Sequence, residues 1–331
     1  MKVSQEEPFK KNDCHSKSRF KQDKESSVSQ TNEILRYAQN DSKKVSLRAL
    51  FPIVIVLIFV ITSFSKAQVN TEKDSAIYKS TLEWAADSNL ASKPIGDVIV
   101  EVGKSFMGTE YVAHTLEIDS VEQLVVNLRE FDCTTFLETA LAIARCIKNG
   151  DTTFTAFQNE LTLIRYRDGK IDKYPSRLHY FTDWIYDNEK KGIVKDVTKE
   201  IGGKEIKFNL SFMSDHPQYY KHLKEQPEFI PVIKKQEEEI NKRTYYYIPK
   251  EELREQESKI NNGDLLAFTT TVKGLDVNHV GIAVKMDDGR IHLLHSPIEG
   301  YPVQISKLPL AEYVMKIKKD TGIIVARVLE P

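Results

Sequence analysis

Hydrophobic residues recur every three or four positions through the first half of the chain, which is the spacing of amphipathic helices. The pattern predicts helices within residues 72–107, 119–130, 133–148 and 154–167. Asp132 is a good N-cap for the third of these, and Gly150 follows its predicted end. The first half of the chain is therefore predicted to be largely helical.

The pattern changes from Gly263 onward, where apolar and polar residues alternate as they do in strands. The predicted strands are 264–271, 278–285, 290–296 and 322–328. We expect them to form an antiparallel sheet. Helices followed by such a sheet indicate the α+β class.

The N-terminal residues predict export. Residues 1–45 are polar and nearly without apolar periodicity, so they are predicted to be a disordered leader or to precede the true start of the protein. Residues 46–67 combine a basic start, an apolar run over 50–64 and a small-residue cleavage pattern, as in a secretory signal peptide. Residues 68–331 would then be one periplasmic domain with no stable membrane insertion. Alternatively, 50–64 stays uncleaved as a membrane anchor.

The composition is that of an ordinary globular protein, with 40% hydrophobic and 29% charged residues. The net charge is −1, and no basic stripe with interleaved aromatic residues occurs, which argues against a nucleic-acid partner. Charged residues concentrate between about 186 and 260, which we predict to be an insertion with a solvated surface and short helices over 234–243 and 249–259.

Cys133 falls in the first turn of a predicted helix, where free N–H groups and the helix dipole stabilise a thiolate. A later histidine on a strand, here His279, completes the arrangement that thiol catalysis requires. A buried cysteine and a core histidine are the alternative interpretation. Cys146 lies about 20 Å further along the same helix, so the two cannot form a disulfide, and Cys146 is predicted to be structural.

Two histidines compete to orient His279, and alternation along their strand places His292 and His295 on opposite faces. Asp287-Asp288-Gly289 suits a three-residue turn, which would pair Gly281 with His295 and put His279 and His295 on one face, so His295 is the predicted partner. A two-residue turn would favour His292 instead. The opposed faces argue against a metal site built from all three histidines.

The stretch 174–184 is richer in charged and aromatic side chains than a connecting loop needs, so we predict a binding loop. A plain loop leading into an amphipathic helix is the alternative. The candidate substrate-binding residues are Arg177, His179, Tyr180, Asp183 and Trp184.

Five segments occur in an order that resembles the NlpC/P60 cysteine peptidase superfamily: Gly108-Thr109-Glu110-Tyr111, Phe131-Asp132-Cys133, 263–268, His279-Val280-Gly281-Ile282 and Leu294-His295-Ser296. Residues 134–138 and the stretch 176–184 resemble its branch of N-acetylmuramoyl-L-alanine amidase-like proteins, the DUF1460 family. The resemblance covers most of residues 95–331. It implies a papain-like fold in which the helix that bears the nucleophile packs on an antiparallel sheet.

The resemblance also implies roles for single residues. Cys133 would be the nucleophile, His279 the general base and acid, and His295 the residue that orients His279. Tyr111 resembles the superfamily's active-site tyrosine, which lies beside the thiol, and is added to the substrate-binding candidates. No metal ion or other cofactor is required.

The implied reaction is hydrolysis of the amide between the lactyl group of N-acetylmuramic acid and L-Ala in muropeptides, anhydro forms included, during cell-wall turnover. Trp184 and Tyr180 would stack on a sugar ring, while Arg177 or Arg167 would hold a carboxylate. The alternatives are a D-Glu-diamino-acid endopeptidase of the same superfamily, an acyltransferase, and a non-catalytic peptidoglycan-binding protein.

Overall fold

The computed structural model describes residues 72–331, and the predicted leader and signal peptide lie outside these residues. The helices of the described part are α1 Glu72–Asp87, α2 Ile95–Ser105, α3 Cys133–Asn149, α4 Phe154–Arg165, α5 Phe181–Lys190, α6 Phe212–Asp215, α7 Lys221–Glu225, α8 Ile230–Asn241, α9 Leu253–Gln256 and α10 Leu310–Lys316. None of the helices between residues 72 and 331 has both the length and the apolar character needed to cross a membrane.

The strands form one small pair and one large sheet. They are β1 Glu110–Tyr111, β2 Glu130–Phe131, β3 Val194–Asp196, β4 Lys204–Ile206, β5 Tyr245–Pro249, β6 Leu265–Thr270, β7 Val277–Lys285, β8 Ile291–His295, β9 Gln304–Ile305 and β10 Asp320–Val328. The large sheet has the order β4-β5-β10-β6-β7-β8-β9, with β3 also paired to β10, and its pairings are antiparallel. The predicted α+β class and the predicted antiparallel sheet are confirmed.

The helix α3 lies in the middle of the main core. Its apolar residues, Phe136, Leu137, Ala140, Leu141 and Ala144 among them, have no exposed surface. It packs against α2, α4 and β7. Gly103 on α2 permits this close packing, because a Cβ there would come within 2.8 Å of the Leu294 side chain and 3.3 Å of Phe136.

The two faces of the sheet belong to different cores because successive strand residues point to opposite sides. On β7, Val280, Ile282 and Val284 join α3 in the main core, whereas Ala283 joins a second core with α10. His279 has the same parity as Ala283, and its cross-strand neighbour Phe268 also belongs to the second core. This parity turns the imidazole toward the side of the sheet that α10 covers.

The helix predicted over 119–130 is wrong, because this segment has no regular structure before β2. Its apolar residues Val125, Val126 and Leu128 are buried, as the pattern required. Its backbone groups, however, pair with side chains of other elements. The Leu128 N–H donates to the Asp74 carboxylate at 2.9 Å, and Arg165 donates to the Val125 carbonyl at 2.7 Å. These tertiary hydrogen bonds replace those that a helix would have made.

The charged insertion contains a small core of its own. Leu210, Met213, Leu223, Ile233 and Ile240 pack there with Tyr174, Tyr180 and Tyr245. The helix predicted over 234–243 begins earlier, at Ile230, whereas in the stretch predicted as a helix over 249–259, α9 begins only at Leu253. The insertion is therefore a folded layer with a charged outer face.

Candidate active site

Cys133 is the first residue of α3, and the turn before it is fixed by reciprocal capping. The Asp132 carboxylate accepts a hydrogen bond from the Thr135 N–H at 2.8 Å, and the Thr135 hydroxyl accepts one from the Asp132 N–H at 2.9 Å. This capping box confirms the predicted helix start. The thiol is half-buried and not in a disulfide, so it sits at the positive end of the helix dipole with part of its surface open.

The two predicted histidines of the site meet in the structure. The Nε2 of His279 lies 2.7 Å from the Nδ1 of His295. The register behind this contact pairs Ile282 with Leu294 and Lys285 with Ile291, and Gly289 adopts the left-handed conformation that closes a three-residue turn. The turn and the strand register predicted from the sequence are both confirmed.

Only one of the two facing nitrogens can carry a proton when both imidazoles are neutral. If Nε2 of His279 donates, its Nδ1 keeps a free lone pair and can accept a proton from a neighbouring group. Burial keeps the pair neutral, because it lowers the pKa of His279 to about 4. The pKa of His295 is also lowered well below its ordinary value, first by burial and then by the charge of His279. By surface area His279 is only half-buried, so the ring is not sealed from a substrate.

His292 is not part of this pair. Its Nδ1–H donates to the Ser306 carbonyl at 2.8 Å, and its own strand position has the opposite parity from His295. Between residues 72 and 331, no group of three or more His, Cys, Asp or Glu side chains is arranged to hold a metal ion. The structure therefore pairs His279 with His295 rather than with His292.

Tyr313 on α10 is a site residue that the sequence did not reveal. Its ring meets the edge of the His295 ring at a centroid distance of 5.5 Å and an angle of 87°. Burial raises the pKa of the Tyr313 phenol to about 12, assisted by negative charge on Asp320 and on Cys133. The phenol therefore lies within electrostatic range of the thiol and in contact with one histidine of the pair.

A buried carboxyl contacts the residue that precedes His279. Asn278, the neighbour of His279, donates to one oxygen of Asp320 at 2.9 Å. Among the described residues, the other oxygen of Asp320 has no hydrogen-bond partner. Burial raises the pKa of Asp320 to about 6. Both pairings of β6 shift register near this carboxyl, at Asp320/Gly322 and at Phe268/Thr269, and the sequence carries no clear signal for these shifts.

Tyr111 lies on β1, beside the strand that leads to Cys133. It pairs with Phe131 in parallel register, and the Val112 N–H donates to the Phe131 carbonyl at 3.0 Å. Phe131 is two residues before Cys133. The strand pairing thus places the backbone of Tyr111 near the start of α3. The Tyr111 side chain is almost fully buried.

The predicted binding residues of the stretch 174–184 are instead built into the interior. Arg177 is buried and forms two hydrogen bonds to the Glu122 carboxylate, at 3.0 and 2.6 Å. Asp183 is 1% exposed and is paired with Arg167 and Arg243. These ion pairs connect loops to one another within the protein. Arg177 and Arg167 already pair with protein carboxylates, which argues against their binding a substrate carboxylate.

The aromatic members of the same stretch are likewise occupied. Trp184 has no exposed surface, stacks on Phe181 at 4.8 Å and donates its N–H to Glu138 at 3.1 Å. Tyr180 is 4% exposed and donates to Glu237 at 2.6 Å. His179 donates to the Tyr174 carbonyl at 3.1 Å. A ring enclosed on both faces cannot stack on a sugar, so the structure assigns Trp184 and Tyr180 to the core.

Comparison with known proteins gives the family. The family model for AmiA-like proteins, described as N-acetylmuramoyl-L-alanine amidase-like, matches residues 101–323. No curated protein matches the chain.

Several solved structures are similar. An N-acetylmuramoyl-L-alanine amidase from Bacteroides uniformis is 40% identical, with a TM-score of 0.67, over 71% of this chain and 98% of that chain. A Bacteroides fragilis protein with the provisional name of a xylanase is 42% identical, with a TM-score of 0.65, over 69% of this chain and 100% of that chain. A Legionella pneumophila protein of the DUF1460 family shares the fold at 22% identity, with a TM-score of 0.58, over 78% of this chain and 95% of that chain. This chain therefore belongs to the AmiA-like family of N-acetylmuramoyl-L-alanine amidase-like proteins.

Proposed function

We propose that the protein is a cysteine amidase that hydrolyses the amide between the lactyl group of N-acetylmuramic acid and L-Ala in muropeptides. The observation that carries the proposal is the 2.7 Å contact of His279 with His295, in an amidase-like chain whose half-buried thiol begins α3. The fold is proposed to be the papain-like fold of the NlpC/P60 superfamily. Export to the periplasm is proposed from the segment 46–67.

The first half of the reaction forms a thioester. The Cys133 thiol passes its proton to Nδ1 of His279 while the sulfur bonds to the lactyl carbonyl carbon. The carbonyl oxygen becomes an oxyanion, which the N–H of Cys133 at the helix start would stabilise. The C–N bond then breaks, and Nδ1 of His279 returns the proton to the departing nitrogen of alanine.

The second half releases the acid. Nδ1 of His279 takes a proton from a water molecule as the water oxygen bonds to the thioester carbon. The C–S bond then breaks. The sulfur recovers the proton from His279. In both halves, Nε2–H of His279 donates to Nδ1 of His295. His295 must be neutral to accept this hydrogen bond, and burial favours the neutral form because it lowers the pKa of His295. His295 is thus a positioning residue for His279.

The rival activities would use the same thiol and histidine. An endopeptidase that cleaves after D-Glu differs only in which amide lies at the sulfur. Glycoside hydrolysis, suggested by the name of one similar structure, ordinarily needs two carboxyl groups across the scissile bond. His279 instead contacts the imidazole of His295, His295 contacts the phenol ring of Tyr313, and the buried carboxyl of Asp320 is bonded to Asn278. This grouping favours acyl transfer.

The test compares two cysteine variants on a disaccharide-tetrapeptide, with products identified by mass spectrometry. Wild-type protein should release the free tetrapeptide that begins with L-Ala, together with the disaccharide. Cys133→Ala should lower kcat by at least about a thousandfold, because the nucleophile is lost. Cys146→Ala is the matched control and should keep kcat, since Cys146 is buried and burial raises its pKa to about 12.

Each contrary result has its own meaning. Release of a disaccharide-dipeptide would identify the endopeptidase. Full biological function of Cys133→Ala would show that the protein acts by binding alone.

A further inference from the structure

Three aromatic side chains on and just after α6 are stacked at the protein surface. The Phe212 and His216 rings have centroids 4.6 Å apart and lie at 28°, and those of His216 and Tyr219 are 5.8 Å apart at 7°. The Phe212 and Tyr219 rings are also close, with centroids 6.4 Å apart at 25°, so the three rings form one cluster in which Phe212 is buried and Tyr219 is 48% exposed. We call Phe212, His216 and Tyr219 the aromatic platform.

Hydrogen bonds from residues 211–213 hold the backbone of the first part of the platform in place. The N–H groups of Ser211 and Phe212 both donate to the Gly274 carbonyl, at 3.1 and 3.0 Å. Gly274 has a φ of +79°, and a Cβ there would come within 2.9 Å of the Phe212 nitrogen, so the close approach depends on glycine. The Met213 N–H donates to the Tyr180 hydroxyl at 3.1 Å. These hydrogen bonds fix the backbone that carries the Phe212 ring, so that ring needs little ordering when a ligand binds.

Residues in and beside the platform contact both of the segments that lead to the proposed catalytic residues. Gly274 is five residues before His279, so at about 3.3 Å per residue the attachment lies within roughly 17 Å of it. On the other side, Lys221 donates its N–H to the Glu117 carboxylate at 3.4 Å and its ammonium to the Ile118 carbonyl at 3.3 Å. That loop follows Tyr111 and returns to Cys133 through β2.

We propose that the aromatic platform is the subsite for the N-acetylhexosamine ring that precedes the muramoyl residue of the substrate. The assignment rests on the proposed amidase function. A pyranose presents C–H groups on its face, which pack on the electron-rich face of an aromatic ring, while a phenol at the rim can pair with sugar hydroxyl groups. The platform provides this surface outside the core, whereas Trp184 and Tyr180 are enclosed within it.

The attachment of the platform to the loop before β7 is the feature that suggests this ring. The muramoyl residue carries the lactyl carbonyl and must lie next to Cys133, so the preceding sugar extends away from the thiol. The aromatic platform is attached to the loop before β7, at a distance from His279. It would therefore contact the outer sugar rather than the scissile amide.

The experiment measures kinetics with two substrates that differ only in the outer sugar: a disaccharide-tripeptide and a muramoyl-tripeptide. Tyr219→Ala should raise KM about fivefold for the disaccharide substrate, with kcat unchanged, since an aromatic contact of this kind is worth about that factor. KM for the muramoyl substrate should not change. Tyr219→Phe should retain most of the affinity, and Trp84→Ala, an exposed aromatic on α1, is the control.

A binding measurement separates this proposal from the proposed reaction. Calorimetry of Cys133→Ala with the peptide-free disaccharide should show an affinity that Tyr219→Ala in the same background lowers by the same factor. If that loss occurs although wild-type protein cleaves neither substrate, the subsite stands and the amidase proposal fails. If wild-type protein cleaves both substrates and Tyr219→Ala changes neither value of KM, or changes both equally, the sugar subsite is overturned.

Discussion

His279 and His295 show how burial determines which protonation state can act. A neutral pair fixes one proton between Nε2 of His279 and Nδ1 of His295 and leaves Nδ1 of His279 free to accept. An exposed pair would share its environment with water and protonate near pH 6.5. The low pKa values therefore give a base that stays neutral in mildly acidic solution.

The pH dependence of activity follows from this state. Because neutral His279 is the active form in the proposed mechanism and its pKa is about 4, kcat/KM should fall only as the pH drops through about 4. Stability should begin to decline earlier, as the pH drops from 6.5 to 4, since the unfolded chain binds more protons than the native state in that range. A pH–rate profile, with circular dichroism at each pH as the control for folding, measures this. A limb centred near pH 6.5 would contradict it.

Asp320 is a residue whose charge opposes folding. Its pKa of about 6 lies above the ordinary value of 3.8, so the ionised carboxyl destabilises the native state above pH 6, and the cost disappears below pH 3.8. Asp320→Asn can keep the hydrogen bond from Asn278 and should raise the free energy of unfolding by about 2 kcal/mol at pH 7.5. At pH 3.5 the effect should be close to zero.

Urea titrations at the two pH values test this difference. Equal effects at pH 7.5 and pH 3.5 would show that the charge is not the cause. A loss of kcat in Asp320→Asn would show that the carboxyl also contributes to the chemistry around Tyr313.

At the scale of elements, the contact of the two strands β7 and β8 sets the histidine geometry. Gly281 lies two residues after His279 and faces β8 at close range. A Cβ at this position would come within 2.6 Å of the Leu293 side chain, 2.9 Å of the Leu294 carbonyl and 3.1 Å of the His295 Cβ. The strands can be this close only because position 281 has no side chain.

Gly281→Ala should therefore push β8 away and lengthen the contact of His279 with His295. We expect kcat to fall at least about tenfold, since small displacements of catalytic groups are costly. The free energy of unfolding should fall by about 2 kcal/mol. Enzyme kinetics and thermal melting measure the two effects.

The matched control is in the turn that joins the same strands. Gly289 has a φ of +77°, and a Cβ at this position would have no atom of residues 72–331 within 4 Å to obstruct it. Gly289→Ala should cost about 1 kcal/mol of backbone strain and leave kcat unchanged. Equal losses of kcat in the two variants would mean that the turn, and not the strand separation, controls the site.

At the scale of the whole molecule, buried ion pairs join segments that are distant from one another in the sequence. Glu122 pairs with Arg177, Glu138 with Arg165, and Asp74 with Arg129. The carboxylates of these pairs are almost completely buried. Removing one partner of such a pair leaves an uncompensated charge inside the protein.

Arg177→Ala should accordingly lower the free energy of unfolding by about 3 kcal/mol and leave KM nearly unchanged. Arg254→Ala removes an exposed arginine, 59% accessible and 3.7 Å from Glu257, and should change stability by less than about 0.5 kcal/mol. Urea denaturation and KM for the muropeptide distinguish the roles. A tenfold rise in KM without loss of stability would instead identify Arg177 as a binding residue for a substrate carboxylate.

The sequence by itself determined the features that depend on neighbouring residues. Periodicity and capping gave the bounds of α3, because helical hydrogen bonds and the cap at Asp132 are local. Alternation and the length of one turn gave the register of β7 and β8, and so the pairing of His279 with His295. The α+β class followed from the order of these patterns.

Only the tertiary structure decided what distant segments do to one another. Arg165 and Asp74 bind the backbone of 119–130 and prevent the helix that its pattern predicts. Glu122 and Glu138 turn Arg177 and Trp184 inward, although their residue types suit a binding loop. Tyr313 reaches His295 because α10 covers that face of the sheet. The local pattern of apolar and charged residues indicates which groups must be buried or paired. The partner of a buried charge or ring depends on how distant parts of the chain pack together.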